Sequence, residues 1–67
     1  MGVMVEHNGY LLAKWGGHVN VWNEDGNLLG RYYIQNPQLW SMGIRGVLND
    51  ADEKEKIDKY IEIRLRR

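Results

Sequence analysis

Sixty-seven residues carry nine basic and nine acidic side chains, three Trp, four Tyr and no Cys. That length allows one domain at most and a small core. The missing Cys excludes disulfides and thiolate metal sites, and zero net charge excludes an acidic DNA mimic and suits phosphate-backbone binding poorly.

Val3 to His7 (VMVEH) reads as a first strand, and Asn8-Gly9 as a tight turn that needs positive φ. Tyr10 to Trp15 (YLLAKW) is the second strand, closed by Gly16-Gly17. His18 to Asn23 (HVNVWN) alternates as a third, and Glu24-Asp25-Gly26 makes a three-residue loop with Gly26 left-handed. Leu28 to Gln35 (LLGRYYIQ) is the fourth. Asn36-Pro37 then opens a helix, as N-cap and first helical residue, with Trp40, Ile44, Val47 and Leu48 on one stripe. Asp50 with Glu53 resembles a capping box for a second helix whose apolar face is Ile57, Tyr60, Ile61 and Leu65. The final IEIRLR fits a helix or, by its alternation, a strand, so residues 60–66 stay open. The fold class expected is α+β: an antiparallel meander of three or four strands, a short helix and a longer C-terminal helix.

The turns imply a register. Trp15 pairs with His18, Ala13 with Asn20 and Leu11 with Trp22; across the next hairpin Trp22 pairs with Leu28, Asn20 with Gly30 and His18 with Tyr32. One face then holds a groove, with Trp15, His18 and Trp22 in its walls and Asn20 and Gly30 on its floor. The groove is expected to receive the helix, with Trp40 or Ile44 over Gly30; a ligand pocket is the sharper alternative. The opposite face holds an apolar strip, Leu12, Val21 and Leu29, rimmed by Tyr10, Lys14, Arg31 and Tyr33. That strip is the expected protein-binding surface, because an apolar patch with a charged and aromatic rim marks an interface.

Catalysis finds little in the sequence: Ser41 is the only Ser, Thr is absent, and His18 lacks an acid partner. No metal or cofactor is expected, since the two His are too few and the acidic run from Asp50 to Glu55 has no calcium-loop spacing. Gly43-Ile44-Arg45-Gly46 matches the glycine loop of KH-type RNA-binding domains, and with Arg64, Arg66 and Arg67 it forms the candidate nucleic-acid contact. No signal peptide, myristoylation site or membrane span is read, which leads to a cytoplasmic expectation.

A tyrosine-bearing hairpin, a helix and a polar tail ending in alternating IEIRLR are similar in plan and size to small phage proteins that inhibit host enzymes, among them dimeric inhibitors of uracil-DNA glycosylase. Those inhibitors are acidic and this chain is neutral, so no residue role carries over. The expected function is non-enzymatic binding to another protein, as a homodimeric inhibitor of phage or mobile-element type. A nucleic-acid-binding module and a nucleotide-sequestering dimer are the alternatives.

Overall fold

A computed structural model of the chain describes residues 2–44, 48 and 51–66. Four strands, β1 (Val3–His7), β2 (Tyr10–Trp15), β3 (His18–Trp22) and β4 (Leu28–Tyr33), form an antiparallel meander in sequence order. Helix α1 (Pro37–Gly43) and helix α2 (Ala51–Tyr60) follow, and α2 runs on into a wide π-helical turn, Ile61–Leu65. The α+β layout is as expected, with four strands rather than three.

The turns are set by the residues that tolerate positive φ. Asn8 (φ 51°) and Gly9 (φ 85°) turn β1 into β2, Gly16 (φ 60°) turns β2 into β3, and Gly26 (φ 82°) closes the last hairpin. Asn23 organises that last loop, because its Oδ1 accepts from the backbone N–H of Asp25 at 2.9 Å and of Asn27 at 3.0 Å. The β2–β3 register is the expected one, from Trp15 with His18 to Leu11 with Trp22.

The β3–β4 register departs from expectation after its first pair. Trp22 faces Leu28, but Val21 then faces Gly30, Asn20 faces Arg31, Val19 faces Tyr32 and His18 faces Tyr33. Leu29 is the extra residue of a β-bulge, and from Gly30 onward every β4 side chain changes face. The physical reason is in LLGRYY itself. An unbroken register would put Leu29 and Arg31 on the same face, so burying the leucine would also bury an arginine with no acid opposite. With the bulge, Leu29 and Tyr32 are buried and Arg31 stays exposed.

The core lies on the face that was expected to be the interface. Leu12, Val19 and Val21 are fully buried, and Leu29 nearly so, in one cluster with Tyr32, Trp40, Ile44, Ile57, Ile61 and Leu65. The protein-binding strip of Leu12, Val21 and Leu29 is therefore corrected to core. Composition explains which face the helices take. Leu12, Val19, Val21 and Val5 share one side, whereas the other mixes its apolar rows with Glu6, His18, Asn20 and Arg31. Trp40 does lie over Gly30, as expected: a Cβ on Gly30 would sit 3.0 Å from Cζ3 of the indole. The bulge has carried Gly30 to the helix side to make that approach possible.

Helix α1 is shorter than its stripe suggests. It starts at Pro37 behind Asn36, which makes no side-chain cap bond, and it stops at Gly43. Trp40 and Ile44 are buried; Arg45, Gly46, Val47, Asn49 and Asp50 lie outside the described residues, and with them the second glycine of the KH-like loop and the capping Asp. The IEIRLR segment is helical. Ile57, Ile61 and Leu65 recur every four residues, which overshoots a 3.6-residue turn. The wider turn, closed by Arg66 N–H to the Ile61 carbonyl at 2.8 Å, reverses the drift and returns Leu65 to the core side. Among the described residues, no helix is long and apolar enough to cross a membrane.

Candidate functional site

Two helices cover one side of the sheet and leave the other bare. The register writes that bare face as three rows: Glu6–Leu11–Trp22–Leu28, then Met4–Ala13–Asn20–Arg31, then Trp15–His18–Tyr33. Four of its large apolar side chains are exposed, Met4 68%, Trp15 62%, Leu28 58% and Tyr33 39%, while Leu11 and Trp22 are half-buried. The middle row is low, with Ala13 and Asn20 at its centre, so the aromatic rows on either side stand as walls. Trp15, His18, Asn20 and Trp22 share one face, as expected, but no helix covers it. Arg31 and Tyr33 join it where Gly30 and Tyr32 had been expected, because of the bulge.

Local contacts hold this face in shape. The Trp15 ring lies so close to Gly2 that a Cβ there would meet Cε3 at 2.6 Å. Arg31 donates from Nε to Asn20 Oδ1 at 2.9 Å, which ties the guanidinium across β3 and β4. His18 and Tyr33 bring their rings to 6.4 Å at a tilt of 53°. At the hairpin end the face runs into an open cleft of about 550 Å3, between Leu11, Trp22 and the carboxylates of Glu6 and Glu24. Charge is thus placed at opposite edges, Glu6 on β1 and Arg31 on β4.

The remaining expected interface residues face the helices instead. Tyr10 donates its hydroxyl to Glu53 Oε2 at 3.3 Å, and Lys14 sits opposite Val3 beside the covered rows. Of the candidate nucleic-acid residues, Arg66 holds Glu62, Arg64 is exposed, and Arg45 and Arg67 lie outside the described residues. Among the described residues no three His, Asp or Glu side chains are grouped to hold a metal ion.

Sequence reasoning missed a line of carboxylates that ties the C-terminal helix down. Glu53 accepts from Tyr10, Asp58 from the Trp40 indole N–H, and Glu62 from the Tyr32 hydroxyl. Each gives a polar tip of a core aromatic its partner. Lys54 reaches Asp58 at 2.6 Å, and Arg66 pairs with Glu62. The spacing 53, 58, 62 alongside Ile57, Ile61 and Leu65 was the available signal, but carboxylates beside an apolar stripe usually mean only a solvated flank.

These bonds carry a pH dependence. The Tyr32 hydroxyl and then the Arg66 guanidinium hold Glu62 below the usual carboxylate value of 4.5. Burial first, and Glu62 second, push Tyr32 above its ordinary 10.0. A lowered carboxylate contributes stability above its unfolded value that is lost as pH falls; a raised phenol contributes stability below its unfolded value that is lost as pH rises. Melting temperature should therefore hold between these two values and fall on both sides. Glu62→Gln is expected to lower it at neutral pH and to change it far less at pH well below 4.5, where wild type has lost the same carboxylate. Equal lowering at both pH values would show that the charge of Glu62 is not what the fold uses.

Comparison of the chain with protein-family models, with curated proteins and with solved structures finds no match.

Proposed function

We propose that the protein is a non-enzymatic protein-binding module whose working surface is the bare face of its sheet. One observation carries this: Met4, Trp15, Leu28 and Tyr33 are all exposed on a single sheet face that two helices leave open. A monomer rarely leaves such an apolar face uncovered, and Trp, Tyr, Met and Arg are the residues that interfaces enrich.

In the free protein the face binds a second copy. A two-fold axis parallel to the strands lays β1 of one copy over β4 of the other. Glu6 of each copy then lies over Leu28 of its mate, one row from Arg31 and within reach of its long side chain, so the charged edges complement each other twice. Four strands of about five residues span roughly 300 Å2 in plan, so the pair belongs with small, weak interfaces. A weak self-contact can be exchanged for a target's surface. The setting this fits is a cytoplasmic inhibitor of phage or mobile-element type that acts by covering a host protein.

The test is Arg31→Ala with Tyr33→Ala. Both side chains are exposed, so circular dichroism should be unchanged. Arg and Tyr dominate measured hot spots, at about 2 kcal/mol or more each, so the variant should lose self-association and capture of the target. If it keeps both, the bare face is not the working surface.

A further inference from the structure

The chain has equal numbers of acids and bases, yet its C-terminal helix sorts them. Glu53, Asp58 and Glu62 are drawn toward Tyr10, Trp40 and Tyr32 of the core. Left exposed on the outer side are Lys56, Lys59 and Arg64, with Asp52 and Glu55 behind the two lysines. Between that side and the end of β1 lies a cleft of about 380 Å3, lined by His7, Lys56, Lys59, Tyr60, Ile63 and Arg64 with Asn8 at its rim. Among the described residues no carboxylate lines it. Lys59 and Arg64 are exposed and make no ion pair among the described residues, and Lys56 comes only within 4.0 Å of Glu53.

The floor is aromatic and apolar. His7 stacks on Tyr60 with ring centres 3.9 Å apart and planes 19° from parallel, and Ile63 is 58% exposed beside them. A stacking platform next to Lys59 and Arg64, which make no ion pair among the described residues, suits a planar base joined to a phosphate. The volume is in the range of small-ligand sites and suits one nucleotide rather than a duplex. Asp52 and Glu55 line the next hollow, behind the same two lysines, and keep the affinity modest.

We propose that this cleft binds a nucleoside phosphate unit of a single-stranded nucleic acid, with the base against Tyr60, His7 and Ile63 and the phosphate held by Lys56, Lys59 and Arg64. The site lies on the helix side of the sheet, away from the proposed protein-binding face, and does not depend on it.

The experiment is fluorescence anisotropy of a labelled oligothymidylate across a series of salt concentrations. One phosphate neutralised on a single strand gives a slope of log affinity against log salt of about −0.7, rising to about −2 if the three cations also reach its neighbours. Lys59→Glu with Arg64→Glu should weaken binding by about tenfold or more at low salt and flatten the slope. Gln38→Ala, exposed on α1 and outside both proposed surfaces, should leave both unchanged. Competition by thymidine monophosphate would make a free nucleotide the source of the ligand; failure to compete would make it the strand. Inorganic polyphosphate binding as tightly as the oligonucleotide would remove the stacking and overturn the proposal. So would the absence of saturable binding at low salt, or a charge-reversed variant that binds like wild type.

Discussion

Trp40→Ala is expected to unfold the protein. The side chain is 1% exposed, lies on Gly30, tilts against Tyr32 with ring centres 6.4 Å apart, and donates its indole N–H to Asp58. Truncating a buried Trp costs about 3–5 kcal/mol. A chain of this size has roughly 3–10 kcal/mol in total. The loss also takes one hydrogen bond from Asp58, which is left paired with Lys54 at the seam between α1 and α2. Thermal melting by circular dichroism should show no cooperative transition, or one lowered by about 15 °C or more. Trp40→Phe keeps most of the volume but removes the N–H, and should cost only about 1–3 kcal/mol. A Trp40→Ala protein melting within a few degrees of wild type would mean that α1 is not held to the sheet through this residue.

The two ends of the fold were legible to different degrees. Asn8-Gly9, Gly16-Gly17 and the Asn23–Gly26 loop each demand a backbone conformation that few residues provide, so the turns and the β2–β3 register could be read directly. The bulge at Leu29 could not be read from period, because a single extra residue leaves the alternation of β3 intact and breaks only that of β4. Its trace was chemical: Leu29 and Tyr32 want burial, and Arg31 between them does not. Choosing the covered face needed β1 as well. Val5 adds to the Leu12–Val21 side and Glu6 to the other, which tips the balance before any helix is considered.

The helix tail was harder for another reason. IEIRLR satisfies period two and, with Ile57, period four, and only tertiary contacts decide between them. The bonds from Tyr10 to Glu53, Tyr32 to Glu62 and Trp40 to Asp58 join side chains 43, 30 and 18 positions apart. Nothing local marks such pairs. The same bonds turn three acids toward the core and leave Lys59 and Arg64 exposed on the outer side, a separation that a count of charges along the tail does not reveal.

The second large effect concerns the bare face. In the two-fold arrangement, Glu6→Arg sets a second arginine against Arg31 at both contacts. Arg31→Glu likewise sets a second glutamate against Glu6 at both. Like charges facing each other across an interface cost several kcal/mol, so each variant alone should be a monomer. Mixed together, the two make a pair in which both contacts are again opposite in charge. Neither change touches the core, since both side chains are exposed and point away from the helices.

Sedimentation equilibrium of wild type, of each single variant and of their equimolar mixture therefore tests the account most directly. The expected result is twice the 7.9 kDa chain mass for wild type and for the mixture, and the mass of one chain for each variant alone. A one-chain mass for wild type even at about millimolar concentration, or variants that pair as wild type does, would contradict it.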